Sequence, residues 1–335
     1  MKVLITGGAG FVGARLARSL LSRDALAGQR IDSLVLADQF APPPDLLADR
    51  RVTARTGALL EQCAELGAER FDGVFHLASA VSGECELDFD LGMRSNLDST
   101  RALLEAIRKA GNTPRFVFSS SGAVFGPDPG RPLPDVVSDD TLPAPQTSYG
   151  TQKLMCEYLI ADCTRKGFID GRSARLMTVT VRPGRPNGAA SSFFSGIIRE
   201  PLAGVVSVCP VDEGVSHAVS SPTRTVEGLI AVYEASREAF GGRLGLNLPA
   251  LNVTVREMLA ALESVAGPKV RALVRFQRDE RIATIVANWP KGATAGRAAG
   301  LGLSPETSFA DIVRQYIADC RARPDAEVTL KGLGA

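Results

Sequence analysis

Residues 1–13, MKVLITGGAGFVG, carry the pattern that decides the fold. The apolar run Val3–Ile5 predicts a buried strand, and an amphipathic helical pattern begins after the third glycine. Gly7 permits a tight turn, Gly10 lets the backbone approach a pyrophosphate, and Gly13 lets helix and strand pack closely. Phosphates would rest on the free N–H groups at the start of the helix, where the helix dipole favours negative charge. The stretch therefore predicts a dinucleotide site, with a plain glycine-rich turn as the alternative.

An acid, Asp38, ends the second predicted strand, Ser33–Ala37. In a dinucleotide site of this kind, a carboxylate at that position accepts hydrogen bonds from the adenosine ribose hydroxyls. It also repels a 2′-phosphate, so we expect NAD rather than NADP as the cofactor. The alternative is that Asp38 only caps the loop that follows it.

Short apolar runs alternate with longer helical patterns through the first half of the chain. The runs are apolar without alternation, so they predict strands buried on both faces. Together they predict an α/β fold, a Rossmann-type doubly wound parallel sheet covered by helices. The predicted strands are Val3–Ile5, Ser33–Ala37, Gly73–Leu77, Phe116–Ser119 and Met177–Val181. The predicted helices are Phe11–Leu21, Leu59–Leu66, Asn96–Ala110 and Tyr149–Arg165.

The pattern loosens after Pro183. We expect a NAD-binding Rossmann domain over residues 1–183, with residues 215–240 as a candidate to return to it. Residues 184–335 are expected to form a smaller, interleaved C-terminal α/β substrate-binding domain. Its predicted elements are a strand at Val215–Val219, a helix at Thr223–Glu234, a helix at Thr254–Val265, an Arg-rich strand at Val270–Phe276 and a helix at Phe309–Ala322.

Composition excludes several classes of function. The 335 residues are 45% hydrophobic and 22% charged, with 38 Lys and Arg against 37 Asp and Glu and no long basic run, so neither nucleic acid nor an anionic membrane is an expected partner. The six cysteines form no CxxC pair and there are two histidines, so no metal site is expected. No apolar stretch is long enough to span a bilayer, and the N-terminus lacks the apolar region of a signal peptide. A cytoplasmic location is expected by elimination.

Tyr149 and Lys153 stand at positions i and i+4 of a predicted helix, which places them on one face. A lysine ammonium beside a phenol stabilises the phenolate, so Tyr149 is predicted to act as a general base with Lys153 as its partner. The spacing alone is weak, since such a pair can arise by chance. It gains weight because it follows a serine-rich strand and the glycine turn.

Several motifs occur in one order along residues 1–185, and together they resemble the extended short-chain dehydrogenase/reductase family, which contains nucleotide-sugar epimerases and dehydratases. They are Thr6–Gly13, His76-Leu77-Ala78-Ser79, Asn96, the segment SSSGAVFG at 119–126, Tyr149–Lys153 and Val181-Arg182-Pro183. The resemblance implies that Ser121 is the catalytic serine, that Lys153 also binds the nicotinamide ribose, and that Asn96 positions the ribose or a relay water. It implies further cofactor contacts at Phe11, Val12, Leu59, Leu77, Ala78, Ser79, Tyr149 and Pro183. It also implies a homodimer through the helices that begin near Asn96 and Tyr149.

Departures from the family pattern bear on the substrate. Nucleotide-sugar enzymes of the family usually carry an Arg-Asp pair at the start of a C-terminal strand, and Val215–Ser221 has no arginine there. The adenine-contacting acid of the family is replaced by Ala58. Arg185 could grip a small carboxylate bidentately, or it could be an ordinary surface arginine. His217 could bond a substrate hydroxyl or carboxylate, or it could be a structural histidine. Further predicted substrate contacts are Ser82, Ser121, Tyr149 and Ser221, with Ser79 as another donor.

Two segments, residues 181–202 and 211–230, resemble the branch of the family that oxidises the 2-hydroxyl of D-erythronate, a four-carbon sugar acid, to the 2-oxo acid. The resemblance implies an NAD-dependent dehydrogenase with a small sugar-acid substrate. Residues 76–106 are also similar to L-threonine 3-dehydrogenases, so that activity is one alternative, and a nucleotide-sugar epimerase is another. A nucleotide-sensing regulator without catalysis is the alternative from a different class, although such proteins typically lose the Tyr/Lys pair that this chain retains.

Overall fold

The computed structural model describes residues 1–184 and 189–334. Its strands, in chain order, are β1 Lys2–Thr6, β2 Ala25–Leu26, β3 Gln29–Arg30, β4 Ser33–Asp38, β5 Val52–Thr56, β6 Gly73–His76, β7 Arg115–Ser121, β8 Val136–Val137, β9 Asp170–Leu176, β10 Thr178–Val179, β11 Ser207–Cys209, β12 Ser216–Ser220, β13 Leu246–Asn247, β14 Leu251–Thr254, β15 Val274–Phe276 and β16 Gly292–Ala293.

The α-helices, in chain order, are α1 Phe11–Arg23, α2 Pro44–Leu47, α3 Leu59–Ala68, α4 Ser82–Leu87, α5 Phe89–Gly92, α6 Ser99–Ala110, α7 Ser148–Arg165, α8 Ser192–Leu202, α9 Pro222–Glu234, α10 Arg237–Phe240, α11 Val255–Ala266, α12 Pro268–Arg271, α13 Glu280–Ala287, α14 Gly296–Ala299, α15 Phe309–Arg321 and α16 Ala326–Thr329. A π-helical turn at Met93–Asp98 precedes α6, and short 3₁₀ turns lie at Gly122–Val124 and Lys331–Leu333. No helix in the described ranges combines the length and apolar character that crossing a membrane requires.

Seven parallel strands form the central sheet in the order β13-β9-β7-β6-β1-β4-β5. Successive strand residues face opposite layers: Val3 and Ile5 pack towards α1 and α9, whereas Leu4 packs towards α3, α6 and α7. The predicted Rossmann-type doubly wound sheet is therefore confirmed. The strand order reverses between β1 and β6, and ligands of such sheets bind outside the carboxyl ends of the strands at that point.

One predicted strand was misplaced. Met177–Val181 was expected in the main sheet, but β9 at Asp170–Leu176 fills that position, and β10 pairs with β12 in a separate three-stranded sheet with β14. The sequence pattern did not predict β9 as a buried strand because the strand contains polar residues. Arg172 is fully buried and donates to the carbonyl oxygens of Val232, Tyr233 and Ala235 at the end of α9. A strand whose arginines are satisfied by distant partners does not show the apolar pattern of a buried strand.

Two further expectations differ from the structure. The predicted strand Val270–Phe276 is divided between α12 and β15, because Pro268 and the preceding glycine start a helical turn. The edge strand β5 was missed because its residues are half-exposed and mostly polar.

The C-terminal half contributes to two cores. The helix α9 packs on the central sheet beside α1, and β13 extends its edge. A second core gathers apolar side chains of α8, α11 and α15. The division of the chain at residue 183 stays a prediction.

Candidate active site

The glycine turn joins β1 to α1 at the carboxyl edge of the sheet. Gly7 has a φ of +71°, and its N–H donates to the carbonyl oxygen of Ala37 at 2.8 Å. A Cβ on Gly13 would collide with the carbonyl oxygen of Gly7, so helix and turn approach as closely as glycine alone permits. Gly10 precedes α1, whose first turn has no side-chain cap and no acidic residue. These open N–H groups fit an anionic phosphate.

Asp38 ends β4 beside this turn. Its Oδ2 accepts a hydrogen bond from Ala9 N–H at 3.0 Å, and its Oδ1 accepts one from Phe40 N–H at 3.1 Å. The carboxylate therefore does cap the local loops. Each oxygen keeps further lone-pair capacity, so a ribose contact is compatible with the geometry and stays a prediction. Leu59 begins α3 and packs against the core beneath.

The loop after β6 is held from two sides. Thr6 Oγ1 accepts hydrogen bonds from the N–H groups of Leu77 and Ala78, both at 3.2 Å. On the other side, Asn96 Oδ1 accepts from Ala80 N–H at 2.8 Å and from Ser79 Oγ at 3.0 Å. Asn96 is 3% exposed, so the geometry makes it a residue that positions this loop. Its contact with the ribose or a relay water stays a prediction.

His76 is buried behind that loop in one tautomer. Thr100 Oγ1 donates to the carbonyl oxygen of Asn96, so it accepts from His76 Nε2–H, at 2.8 Å. His76 Nδ1 then accepts from the Thr6 hydroxyl at 2.7 Å. Burial, with a smaller contribution from the Lys153 charge, lowers the pKa of His76 to about 3. The ring is therefore neutral and structural.

Ser121, Tyr149 and Lys153 meet at the carboxyl end of β7. Lys153 is 2% exposed, and its Nζ donates to the carbonyl oxygen of Ser119 at 2.9 Å and lies 5.6 Å from the Tyr149 ring centroid. Ser121 Oγ accepts a hydrogen bond from Ala123 N–H at 3.1 Å, which leaves the hydroxyl hydrogen to donate. The three side chains line one cavity. This arrangement can hold an oxygen and accept its proton.

Gly150, which the sequence analysis did not select, allows the start of α7 with Tyr149 to lie close to the turn after Ser121. Thr147 caps α7 by accepting from Gly150 N–H at 3.0 Å. A Cβ on Gly150 would collide with the carbonyl oxygen of Ala123. Any larger residue at position 150 would therefore push Tyr149 away from the Ser121 turn. The only sequence signal was the glycine directly after the tyrosine.

The cavity above these residues has a volume of about 1480 Å³. It extends from the relay to the residues around β11 and α13. Of the predicted site residues, those that line it are Phe11, Val12, Leu77, Ser79, Ser82, Ser121, Tyr149, Lys153 and His217. Among the described residues, those predicted for the site that do not line it are Gly7, Gly10, Gly13, Asp38, Leu59, Ala78, Asn96, Pro183 and Ser221. Arg185 lies outside the described residues.

His217 lines the cavity, but both of its ring nitrogens have protein partners. Nε2 lies 2.7 Å from Thr178 Oγ1, and Nδ1 lies 3.3 Å from the carbonyl oxygen of Pro290. The ring stacks on Phe194 with centroids 5.1 Å apart. Burial lowers the pKa of His217 to about 4, so the ring is neutral at pH 7. This environment favours the structural alternative for His217.

The assignment of Ser221 to the substrate needs correction. Ser221 is fully buried, its Oγ caps α9 by accepting from Arg224 N–H at 3.1 Å, and its own N–H donates to Glu306 at 2.9 Å. A serine directly before Pro-Thr-Arg at the start of a helix is a typical N-cap, and that local signal was available.

Arg182 is a wall residue that the sequence analysis did not select. Its side chain lines the cavity, with Nε donating to the carbonyl oxygen of Val179 at 2.9 Å and the guanidinium 5.9 Å from the centroid of the Phe11 ring. Thr178 and Trp289, which also line the cavity, were missed as well. Nothing in their local sequence marks them, since β10 and the loop after α13 meet only in the folded chain.

The sequence profile of the "NAD dependent epimerase/dehydratase family" matches residues 3–214. A relative named D-erythronate dehydrogenase, from Cupriavidus necator, is 48% identical over 325 residues, which cover 95% of this chain and 98% of that protein. One of the same name from Haemophilus influenzae is 42% identical over 320 residues, covering 95% and 99%. A crystal structure of a nucleoside-diphosphate-sugar epimerase from Agrobacterium tumefaciens is similar with a TM-score of 0.90 and 44% identity, covering 95% of this chain and 94% of that one. All three of these similarities include the segments beyond residue 214.

Proposed function

Because this chain belongs to the NAD-dependent epimerase/dehydratase family, we propose that it oxidises the 2-hydroxyl of a small sugar acid, D-erythronate, to the 2-oxo acid with NAD. The observation that carries the substrate is the 48% identity with a D-erythronate dehydrogenase over nearly the whole of both chains. That similarity includes the C-terminal segments that form the far wall of the cavity, where a substrate would be selected.

The residues around the cavity edge fit the cofactor. The Gly7–Gly13 turn has the close packing and open N–H groups that a pyrophosphate requires. Asp38 would hold the adenosine ribose, and Lys153 would hold the nicotinamide ribose. Leu77, Ser79 and Pro183 would contact the remaining parts of the NAD molecule. NAD, when bound, supplies the acceptor for the hydride that leaves the substrate carbon.

The chain's own residues would carry the proton. The phenolate of Tyr149 takes the proton of the C2 hydroxyl, while Ser121 donates a hydrogen bond to the same oxygen and orients it. The Lys153 ammonium stabilises the phenolate and is itself held by the Ser119 carbonyl oxygen. Loss of one proton, to Tyr149, and of one hydride turns the alcohol into a ketone.

Two other activities of the same family differ in the substrate they require. The 44% identical crystal structure of a nucleoside-diphosphate-sugar epimerase favours a nucleotide sugar, and the cavity is large. Against this, β12 begins at Ser216-His217 and offers no arginine for a pyrophosphate. L-threonine would bring an ammonium group into the cavity. A regulator without catalysis would have no need of the Tyr149/Lys153 pair.

A substrate panel separates these activities. C4–C6 aldonates, L-threonine and UDP-sugars are each incubated with the protein and NAD or NADP, with NADH or NADPH absorbance as the readout and product analysis for UDP-sugars. We expect D-erythronate with NAD to give the highest kcat/KM. Turnover of L-threonine or a UDP-sugar alone would contradict the proposal, and NADH binding without turnover of any compound would support the regulator.

We also propose a homodimer and a cytoplasmic location. The helical segments that begin near Asn96 and Tyr149 bury several of their apolar residues in the chain's own core: Leu97, Leu103, Leu104, Ile107 and Ile160. Met155 and Tyr158 on α7 are 43% and 54% exposed, so the outer face of α7 is what supports a homodimer. A cytoplasmic location stays a prediction from the sequence.

A further inference from the structure

A 2-hydroxy acid brings a carboxylate onto the carbon next to the reacting hydroxyl, and a carboxylate removed from water needs a partner. We propose that Arg182 is the residue that binds the substrate carboxylate, which fixes the reacting carbon against the Ser121/Tyr149 pair. This inference rests on the proposed function and goes further by naming the group that selects an acid over a neutral sugar.

Four lysine and arginine side chains line the cavity among the described residues: Lys153, Arg182, Arg278 and Arg281. Lys153 donates to the Ser119 carbonyl oxygen and lies over the Tyr149 ring. Arg278 is half-exposed and paired with Asp212 and Glu280, each at 2.7 Å. Arg281 is exposed at the mouth, where solvent weakens any ion pair.

Arg182 is a half-buried cation without an anion, and unlike Lys153 it has no part in the proposed relay. No carboxylate pairs with it among the described residues, and the undescribed segment 185–188, Arg-Pro-Asn-Gly, contains no acid. Burial lowers the pKa of Arg182, the charge of Tyr149 opposes that change, and the charge of Arg199 adds to it. The guanidinium and the phenol both line the cavity. A carboxylate placed there would offset the cost of burying the guanidinium.

The guanidinium is also held in a fixed direction. Nε donates to the Val179 carbonyl oxygen at 2.9 Å, and Nη2 donates to Ser191 Oγ at 3.4 Å. The backbone N–H of Arg182 donates to Ser195 Oγ at 3.0 Å. Nη1 has no hydrogen bond among the described residues. The planar guanidinium is fixed through Nε and Nη2, whereas Nη1 is open, and this arrangement suits a planar carboxylate.

A second anion could compete for this group. The Arg182 guanidinium lies over the ring of Phe11, the first residue of α1, which the glycine turn directs towards a dinucleotide. The same cation could therefore serve a cofactor phosphate. The two sources differ in what they predict: a substrate contact affects KM for the acid, whereas a cofactor contact affects affinity for NADH.

The test compares Arg182→Met, Arg182→Lys, Arg185→Met and Arg281→Met with the wild type. Arg281→Met is the matched control, since it removes a cation from the mouth of the same cavity. Each protein is assayed on D-erythronate and on its primary amide, which keeps the C2 hydroxyl but carries no charge. NADH affinity is followed through the fluorescence of Trp289, the only tryptophan of the chain and a wall residue of the cavity.

We expect Arg182→Met to lower kcat/KM for the acid by about 30-fold or more, mainly through KM, and to change the amide by less than about threefold. Arg182→Lys should fall between wild type and Arg182→Met because it keeps the charge without the fork. NADH affinity should stay within about threefold, and Arg281→Met should behave like the wild type.

Three outcomes would overturn the inference. These are an acid kcat/KM within about threefold of wild type in Arg182→Met, an equal loss on acid and amide, or a loss of NADH affinity that accounts for the effect. A charge-dependent loss in Arg185→Met instead would assign the carboxylate to Arg185. If the wild type does not oxidise D-erythronate at all, the proposed function fails first, and that result is distinct from all of these.

Discussion

Lys153 donates a hydrogen bond from Nζ to the backbone carbonyl oxygen of Ser119 at 2.9 Å, which ties α7 to β7 two residues before Ser121. The hydrogen bond therefore keeps the Lys153 ammonium close to the Tyr149 phenol, which lies one helical turn earlier on α7. The contact links the two segments of the relay, which are separated by 34 residues along the chain. A backbone acceptor is suited to this purpose because it is present whatever side chain stands at position 119.

Replacing the phenol is expected to remove catalysis and leave the fold intact. In Tyr149→Phe the ring remains but the hydroxyl that takes the proton is lost, so kcat should fall on the order of 100-fold or more. NADH absorbance measures turnover, and Trp289 fluorescence measures NADH binding, which should be unchanged. Tyr158→Phe on the exposed face of the same helix is the control. Turnover within a few-fold of wild type would remove Tyr149 from the mechanism.

Asp38 is expected to set the preference for NAD. Asp38→Ala removes both the ribose acceptor and the charge that repels a 2′-phosphate, so the ratio of kcat/KM for NAD over NADP should narrow. The ratio is the measurement, because loss of the Ala9 N–H contact could weaken both cofactors together. Asp45→Ala, in an exposed ion pair with Arg18, should leave the ratio unchanged. An unchanged ratio in Asp38→Ala would make Asp38 a loop cap only.

The buried pair of Glu157 and Arg175 is expected to be a point of structural weakness. The two side chains are 4% and 5% exposed and bonded at 2.8 and 2.9 Å, and Glu157 also accepts from Ser120. Glu157→Leu leaves a buried arginine without its partner and should lower the free energy of unfolding by roughly 3–5 kcal/mol. Urea unfolding followed by circular dichroism measures this.

Two further variants check that the effect comes from the orphaned charge. Glu157→Leu combined with Arg175→Met should recover part of the loss, since no buried charge remains. Glu105→Ala, which removes an exposed partner of Arg108, should leave the unfolding midpoint nearly unchanged. A double variant as unstable as Glu157→Leu would argue against the charge as the cause.

His217 is expected to make the protein less stable in mild acid. Its pKa is lowered from 6.5 to about 4 in the folded chain, so the unfolded chain binds the proton more readily. The stabilisation from keeping the ring neutral is complete above pH 6.5 and is lost as the pH falls towards about 4, which amounts to roughly 3 kcal/mol across that window. His217→Gln should show a shallower decline in urea midpoint between pH 6.5 and 4.5. Parallel curves for the two proteins would show that His217 does not titrate in this way.

The outer face of α7 is expected to form a homodimer interface. Met155 and Tyr158 lie one turn apart and are exposed, whereas most apolar residues of the neighbouring helices are already buried within the chain. Light scattering should report a dimer at micromolar concentration, and Met155→Asp should shift it towards monomer. Val328→Asp, at a site that is 70% exposed elsewhere, is the control. A monomeric wild type would contradict the prediction.

Features that depend on neighbouring residues were open to prediction from the sequence. The glycine turn after β1 lies within one stretch of chain: Gly10 and Gly13 approach the carbonyl oxygen of Gly7, and Gly7 has a positive φ. The Tyr149/Lys153 spacing depends only on helical geometry. The apolar runs of β1, β4 and β6 indicate a parallel sheet, because strands of such a sheet are buried on both faces. For these features the local pattern is itself the physical cause.

Features that depend on distant partners were decided by the tertiary structure alone. β9 forms a central strand because carbonyl groups at the end of α9 satisfy Arg172 and a carboxylate on α7 satisfies Arg175, and none of these partners is close in sequence. Arg182 lines the cavity because β10, the start of α1 and α8 converge there. Ser221 was placed at the substrate from its position along the chain, but the packing of α9 buries it. The energy of a polar side chain depends on what surrounds it, and those surroundings exist only once the chain has folded.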